Sequence, residues 1–265
     1  MSTERHADKH RKRGRPVNVM MKELIPILWE EWIVFKRSFI QIIAGALILP
    51  VLYIVAFGFG MGASFSLKGV TYIKFLIPGI IALTTMNTSY RAISITLNTS
   101  RLYDKTFEQV MIAPVSLFNF CLGKAMAGGF RGVFCGVIVL GIARLFQVSL
   151  NVTPGFVLIM LLSGLTFACL GMLGALVVKS HADMTRFGTF VMVPMTFLCG
   201  TFFSVDQLPV VLREFIYILP LTHVSIMLRA IATYQPFYLR SIIIVVVYLV
   251  LFFGLSLWRC YKVSE

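Results

Sequence analysis

Charge is what this chain has least of. Only 13% of its 265 residues are Asp, Glu, Lys or Arg, and eleven of those are acidic, where a soluble domain carries roughly a quarter charged residues. The shortfall is concentrated in long uncharged runs, which excludes an ordinary soluble domain and points to a helical membrane protein. Strict polar–apolar alternation is missing as well, which excludes a β-barrel. Cysteine is sparse and scattered: Cys121, Cys135, Cys169, Cys199 and Cys260 form no CxxC pair and no metal-ligand spacing, so a disulfide framework is not expected and packing is the role for each. Histidine is rarer still. His6 and His10 lie in the N-terminal tail, and His181 has only Asp183 near it, with no third partner. No HExxH, GxSxG or intramembrane aspartate pair occurs, so no enzyme is expected. The phosphate loop GxxxxGK[ST] is absent too: Gly123–Lys124 is followed by Ala125, and Phe118 stands where its first glycine would be. If transport here is driven by ATP, the ATPase is another polypeptide.

The remaining charge is lopsided. The net charge is +13, and nine of the 24 Lys and Arg lie before Ser38, including Arg11, Lys12, Arg13 and Arg15. Residues 1–19 read as a disordered basic tail that meets anionic lipid headgroups rather than nucleic acid. No cleavable signal is evident, because the first long apolar run starts only near Ser38. From 20 to 265 the chain reads as one transmembrane domain.

About 20 apolar residues cross a hydrocarbon core of roughly 30 Å. On that measure the spans fall at about 39–60, 72–95, 117–143, 155–178, 187–205 and 241–258. The fold class is all-α, with six transmembrane helices. Charge bias orients them: with the N-terminus inside, the cytosolic segments hold fifteen Lys and Arg against six on the other side. Both termini are then cytosolic. Between the fifth and sixth spans, Val205–Arg229 breaks at Pro209 and Pro220 and holds an apolar stretch too short to cross. It is expected to be re-entrant, dipping into the outer leaflet with its irregular backbone shielded by protein or lining a wet cavity.

Three further features could carry function. Met20–Arg37 places Leu24, Ile27, Leu28, Trp32 and Phe35 at helical spacing among charges, the pattern of an interfacial helix, although a helix packed against the bundle would read the same way. The second span is rich in hydroxyls, with Thr84, Thr88 and Arg91 on one face at i, i+4, i+7; that face is expected to meet other helices or a pathway. Arg131 lies within the third span among Gly128, Gly129, Gly132 and Gly136, and costs ~3 kcal/mol to insert unless paired.

Met192–Arg229 resembles the signature region of the ABC type-2 permeases. The likeness rests on Met192, Met195, Leu198 and Cys199, on the break at Leu208–Pro209, and on P-x-x-H with an Arg six residues on (Pro220, Leu221, His223, Arg229); Thr201 departs from the pattern. A second likeness is RLYDKTFEQVMIAPVS, through Glu108, Ala113, Pro114 and Val115. The resemblance covers about residues 20–260. It implies the membrane subunit of an ABC exporter in a cell membrane of the bacterial inner-membrane type, paired as a homodimer and docked on ATPase subunits that bind ATP and Mg²⁺. It further implies coupling through Asp104–Pro114 (Asp104, Glu108, Pro114), an outer gate formed by the re-entrant element (Pro209, Pro220, His223, Arg229), and a path past the second and fifth spans (Thr84, Thr88, Arg91, Arg131). A glycan, lipid or other amphiphile is the expected substrate. The alternatives are a heterodimeric permease for drugs or small molecules, a transporter not driven by ATP, an intramembrane enzyme and a structural scaffold. The acidic residues all lie outside the expected midplane, which counts against an ion-gradient carrier.

Overall fold

The computed structural model describes residues 17–59, 66–67, 70–113, 115–236 and 239–264. Helix α1 (Val17–Arg37) leads through Ser38 into α2 (Phe39–Tyr53), which ends in a π-helical turn, Ile54–Phe59. A short antiparallel ribbon follows, β1 (Ser66–Leu67) with β2 (Val70–Thr71), in the register Ser66↔Thr71 and Leu67↔Val70. The rest is helical: α3 (Tyr72–Leu102), α4 (Thr106–Ile112), α5 (Leu117–Leu145), α6 (Pro154–Val177), α7 (His181–Leu198), a 3₁₀ turn (Val205–Gln207), α8 (Val210–Ile218), α9 (Pro220–Ala232) and α10 (Leu239–Ser264). Helix α1 begins inside the expected tail, so residues 17–19 are helical; Arg11, Lys12, Arg13 and Arg15 lie outside the described residues.

Helix α3 is the hub, packed between α5 and α6, with α9 against its first turns. Glycine makes this close approach possible. A Cβ on Gly128 would press on Ala168 and Ile93, one on Gly136 would meet Thr85 Oγ1 at 2.9 Å, and one on Gly164 would meet the backbone of Gly129 at 3.0 Å. The hydroxyl-rich face of the second span is therefore turned inward, with Thr84, Thr85, Thr88, Ser89 and Ser94 buried. Thr84 satisfies its hydroxyl by donating to Ile80 O at 2.8 Å in its own helix.

Four helices among the described residues are long and apolar enough to cross a membrane: α2 with its π-turn, α5, α6 and α10. Helix α3, the expected second span, does not qualify, because a helix enclosed by other helices is free to carry hydroxyls. Helix α7 does not qualify either. It starts at His181, capped by Ser180 Oγ accepting from Asp183 N at 3.1 Å, and ends at Leu198, seven residues before the expected boundary at 205. The expected dip corresponds to α8 and α9, bent by 92° at Leu219.

Helix α1 does not cross the end of the bundle. It runs lengthwise and parallel to α5, with Glu23 against Ser116 and Asn119 and Phe35 against Phe130 and Phe134. A helix crossing α5 steeply would touch about one turn of it; this contact extends over about 27 Å of α5 at 1.5 Å per residue. The apolar stripe is also rotated from its expected phase: Ile27, Glu31 and Phe35 are buried, whereas Trp32 is 47% exposed.

Candidate functional site

The two groups of candidate residues lie at opposite ends of α3, roughly 40 Å apart by helical rise. At its C-terminal end the chain turns sharply: Tyr103 N and Asp104 N both donate to Thr99 O, and Lys105 takes a left-handed φ of 52°. Helix α4 follows. Its Phe107 is buried against Phe120 of α5, with ring centroids 6.0 Å apart. Asp104 and Glu108 are exposed, and Ile112 is 86% exposed. Pro114 lies outside the described residues. Arg101 anchors the same end by donating to Ala175 O at 2.6 Å and Val178 O at 3.0 Å, where the C-terminus of α6 leaves carbonyls free. His181 Nδ1 lies 2.9 Å from Asn98 Oδ1.

Helix α1 is tied into this end. Glu23 Oε2 accepts from Ser116 N at 3.0 Å and Asn119 Nδ2 at 2.7 Å, capping the start of α5. Two turns further on, Glu31 bridges two cations: Lys124 Nζ donates to its Oε1 at 2.6 Å, and Arg131 Nη2 donates to its Oε2 at 2.7 Å and to its backbone carbonyl at 2.9 Å. Glu30 adds a longer contact to Lys124 at 3.6 Å. Arg131 is therefore paired, and the charges within the third span are balanced by α1. Sequence reasoning missed this arrangement. The signal was the spacing of Glu23, Ile27, Glu31 and Phe35, which puts two acids on the buried stripe.

At the other end, the bend between α8 and α9 is built from the P-x-x-H residues. Pro220 opens α9, where its missing N–H costs nothing. Side chains reach the carbonyls at the end of α8: Thr222 Oγ1 donates at 2.8 Å to Ile216 O, which also accepts from Leu219 N at 3.1 Å, His223 Nε2 donates to Tyr217 O at 2.8 Å, and Tyr248 of α10 to Ile218 O at 2.7 Å. A carbonyl only accepts, so Nε2 carries the proton and Nδ1 accepts from Ser241 Oγ at 3.3 Å. Pro209 precedes α8 with extended backbone and stops the 3₁₀ turn from running into it. Arg229 ties α9 to α3, with Nε donating to Phe75 O at 3.0 Å and Nη2 to Gly200 O at 2.9 Å, and its guanidinium lying over the Phe75 ring.

Of these residues Phe75, Tyr217, His223, Arg229 and Ser241 line a cavity of about 560 Å³ between the bent pair and α10. Asp206 and Glu214 contribute acids from the 3₁₀ turn and α8; Arg229 and Arg240 contribute cations from α9 and α10. The structure thus brings Pro220, His223 and Arg229 into one assembly. Thr84 and Thr88 are buried in the α3 packing and Arg91 is exposed on the same helix. All five cysteines are buried and unpaired.

Comparison with known proteins accords with this architecture. Residues 22–233 match the family described as ABC-2 type transporter, and the chain belongs to that family. It is a membrane protein with several apolar helices, of the permease class. Among its relatives is the inner membrane transport permease YadH of Escherichia coli K12, 28% identical over 179 residues, covering 66% of this chain and 69% of the relative. Nodulation protein J of Rhizobium meliloti is 29% identical over 218 residues, covering 80% and 82% of the two chains. Nodulation protein J of Sinorhizobium fredii is 27% identical over 203 residues, covering 75% and 77%.

Proposed function

We propose that this chain is the membrane-spanning subunit of an ATP-driven exporter whose ATPase is a separate polypeptide. The observation that carries the reading is the family match over residues 22–233, on a sequence with no phosphate loop. Helices α3 and α7 complete six spans. The first is about 46 Å long and the second about 27 Å, and enclosure by neighbouring helices relaxes the apolarity that α3 needs. Both termini face the cytosol, as the excess of Lys and Arg on that side requires. Helices α8 and α9 are too short to cross singly, and their 92° bend suits a re-entrant outer gate.

In this reading α4 docks in a cleft of the ATPase, with Glu108 meeting basic residues of the partner and α1 as a second contact. ATP and Mg²⁺ are bound by that partner. Two copies of the chain pair as a homodimer in a membrane of the bacterial inner-membrane type, the location that the name of the E. coli relative gives. Helices α2 and α10 offer broad apolar faces, with Ile40, Ile48, Leu52 and Val250 exposed. A glycan, lipid or other amphiphile passes along α3 and α7, beside the face that carries Thr84, Thr88 and Arg91; Arg131, held by Glu31, belongs to helix packing.

The test is co-purification with an ATPase from detergent-solubilised membranes, comparing wild type with Glu108→Arg. Retained membrane insertion with loss of docking and of ATP hydrolysis is expected in the variant. Wild-type docking and hydrolysis would remove the coupling role from α4, and absence of any ATPase from the wild-type preparation would remove the exporter reading itself.

A further inference from the structure

We infer that Glu31 locks α1 to α5, so that α1, α4 and the first half of α5 move as one rigid lever during transport. This rests on the permease reading above and adds a positioning residue to it.

Three features oppose any sliding of α1 along α5. The ionic cluster is shut off from solvent, with side-chain exposures of 3% for Glu31, 7% for Lys124 and 4% for Arg131. Lys124 and Arg131 stand seven residues apart on α5, so a shift by one helical turn, about 5.4 Å, in either direction would pull Glu31 off one of its two cations and leave that buried charge without its carboxylate. Steric fit is the second feature: Ile27 sits in a notch left by Gly123, whose Cβ, if present, would lie 2.8 Å from Ile27 Cγ2. The third is the pair of anchors at the ends. Glu23 holds the backbone N–H of Ser116, and Phe35 lies among Phe130 and Phe134 at 6.2 and 5.4 Å.

Helix α4 belongs to the same body. Phe107 fixes it to Phe120, and the linker from α4 into α5 ends at Ser116, the residue that Glu23 grips. A stroke arriving at α4 therefore turns α5 and carries α1 with it. The opposing picture is an independent flap, with α1 swinging against α5 in each cycle.

A covalent lock separates the two. The Cβ of Ile27 lies 3.3 Å from the Cβ position of Gly123, close to the 3.5–4.5 Å of a disulfide. Ile27→Cys with Gly123→Cys is introduced with the five native cysteines replaced by alanine or serine. The protein is studied in lipid nanodiscs with its ATPase subunit. The expected result is that oxidation leaves ATP turnover within about twofold of the reduced protein; a tenfold loss reversed by reductant would overturn the lever. Turnover by the reduced complex bears on the permease reading, and the oxidised-to-reduced ratio alone bears on the lever. Glu31 is tested in the same pair. Glu31→Gln is expected to lower turnover at least fivefold, and the disulfide to restore it to within twofold of wild type. Low turnover in Glu31→Gln with the disulfide formed would remove the positioning role, and if that variant does not fold, the disulfide in the wild-type background still decides between lever and flap.

Discussion

Arg229 lies 3.6 Å over the ring centroid of Phe75 and donates from Nε to the carbonyl of the same residue. One side chain thus reads both the face and the backbone of a single position on α3, while its Nη2 holds Gly200, which takes a left-handed φ of 69° after α7. Helices α3 and α9 and the loop after α7 meet on one guanidinium. Lysine cannot reproduce the fork geometry. Arg229→Lys should cost about 2 kcal/mol, the scale of hydrogen bonds to charged groups, read as a lower thermal midpoint in detergent. Phe75→Leu keeps the carbonyl acceptor and should cost less than Arg229→Lys.

The bend at Leu219 rests on three side-chain caps. Removing His223 or Tyr248 singly, by His223→Ala or Tyr248→Phe, leaves one α8 carbonyl short of a partner and should cost roughly 1 kcal/mol each, whereas Thr222→Val leaves Ile216 O its bond from Leu219 N and should cost less. Combining Thr222→Val with His223→Ala, which serve adjacent carbonyls, should depart from additivity. Unfolding midpoints of the singles and the double measure the departure.

Gly132 faces α3, where a Cβ would overlap Ser89 Oγ and lie 2.8 Å from Thr85 O. Gly132→Ala should cost about 1–3 kcal/mol by overpacking and give a less monodisperse protein on size exclusion. Adding Ser89→Ala removes the overlap but not the carbonyl, so rescue should be partial. Gly141→Ala and Gly254→Ala meet nothing within 4 Å and should be neutral or stabilise by up to about 1 kcal/mol.

Breaking the buried cluster by Glu31→Gln leaves Arg131 with no carboxylate and Lys124 with only its longer contact to Glu30, and should cost on the order of 3–5 kcal/mol. Replacing all three members by apolar residues (Glu31→Leu, Lys124→Met, Arg131→Met) should recover most of that stability. Thermal midpoints distinguish the two outcomes, and a triple variant no better than the single would show that the cluster does more than neutralise itself.

Sidedness can be read with impermeant thiol reagents, because the native cysteines are buried. Ile112→Cys, on a residue 86% exposed, should label from the cytosol, and Val211→Cys, at 85%, from the other face. Labelling of both from one side would remove the proposed six-span topology.

Much of this architecture was legible in the sequence because hydrocarbon imposes a simple rule on helices that face it. Helices α2, α6 and α10 read directly from uncharged runs, α5 from an apolar run interrupted by Lys124 and Arg131, and the break near Pro209 and Pro220 from prolines set among charged residues. Helix α6 starts at Pro154, one residue from the expected boundary at 155, with Thr153 Oγ1 accepting from Phe156 N. Legibility failed where protein replaced lipid as the surroundings. Helix α7 was placed too late because its first turns are polar, and the contact of α1 with α5 could not be read because acids on its buried stripe have no meaning until Lys124 and Arg131 are seen opposite. The motif P-x-x-H was visible, but its work is to cap α8, and that follows only from the position of carbonyls 216–218.

The inward-facing hydroxyls of α3 bear on the order of events at synthesis. Helix α3 leaves the ribosome before α5 and α6, the two helices that will cover Thr85, Ser89 and Ser94. Until then those groups lack the packing that encloses them, so the hub of the core is made first and becomes a core only when its later neighbours close over it.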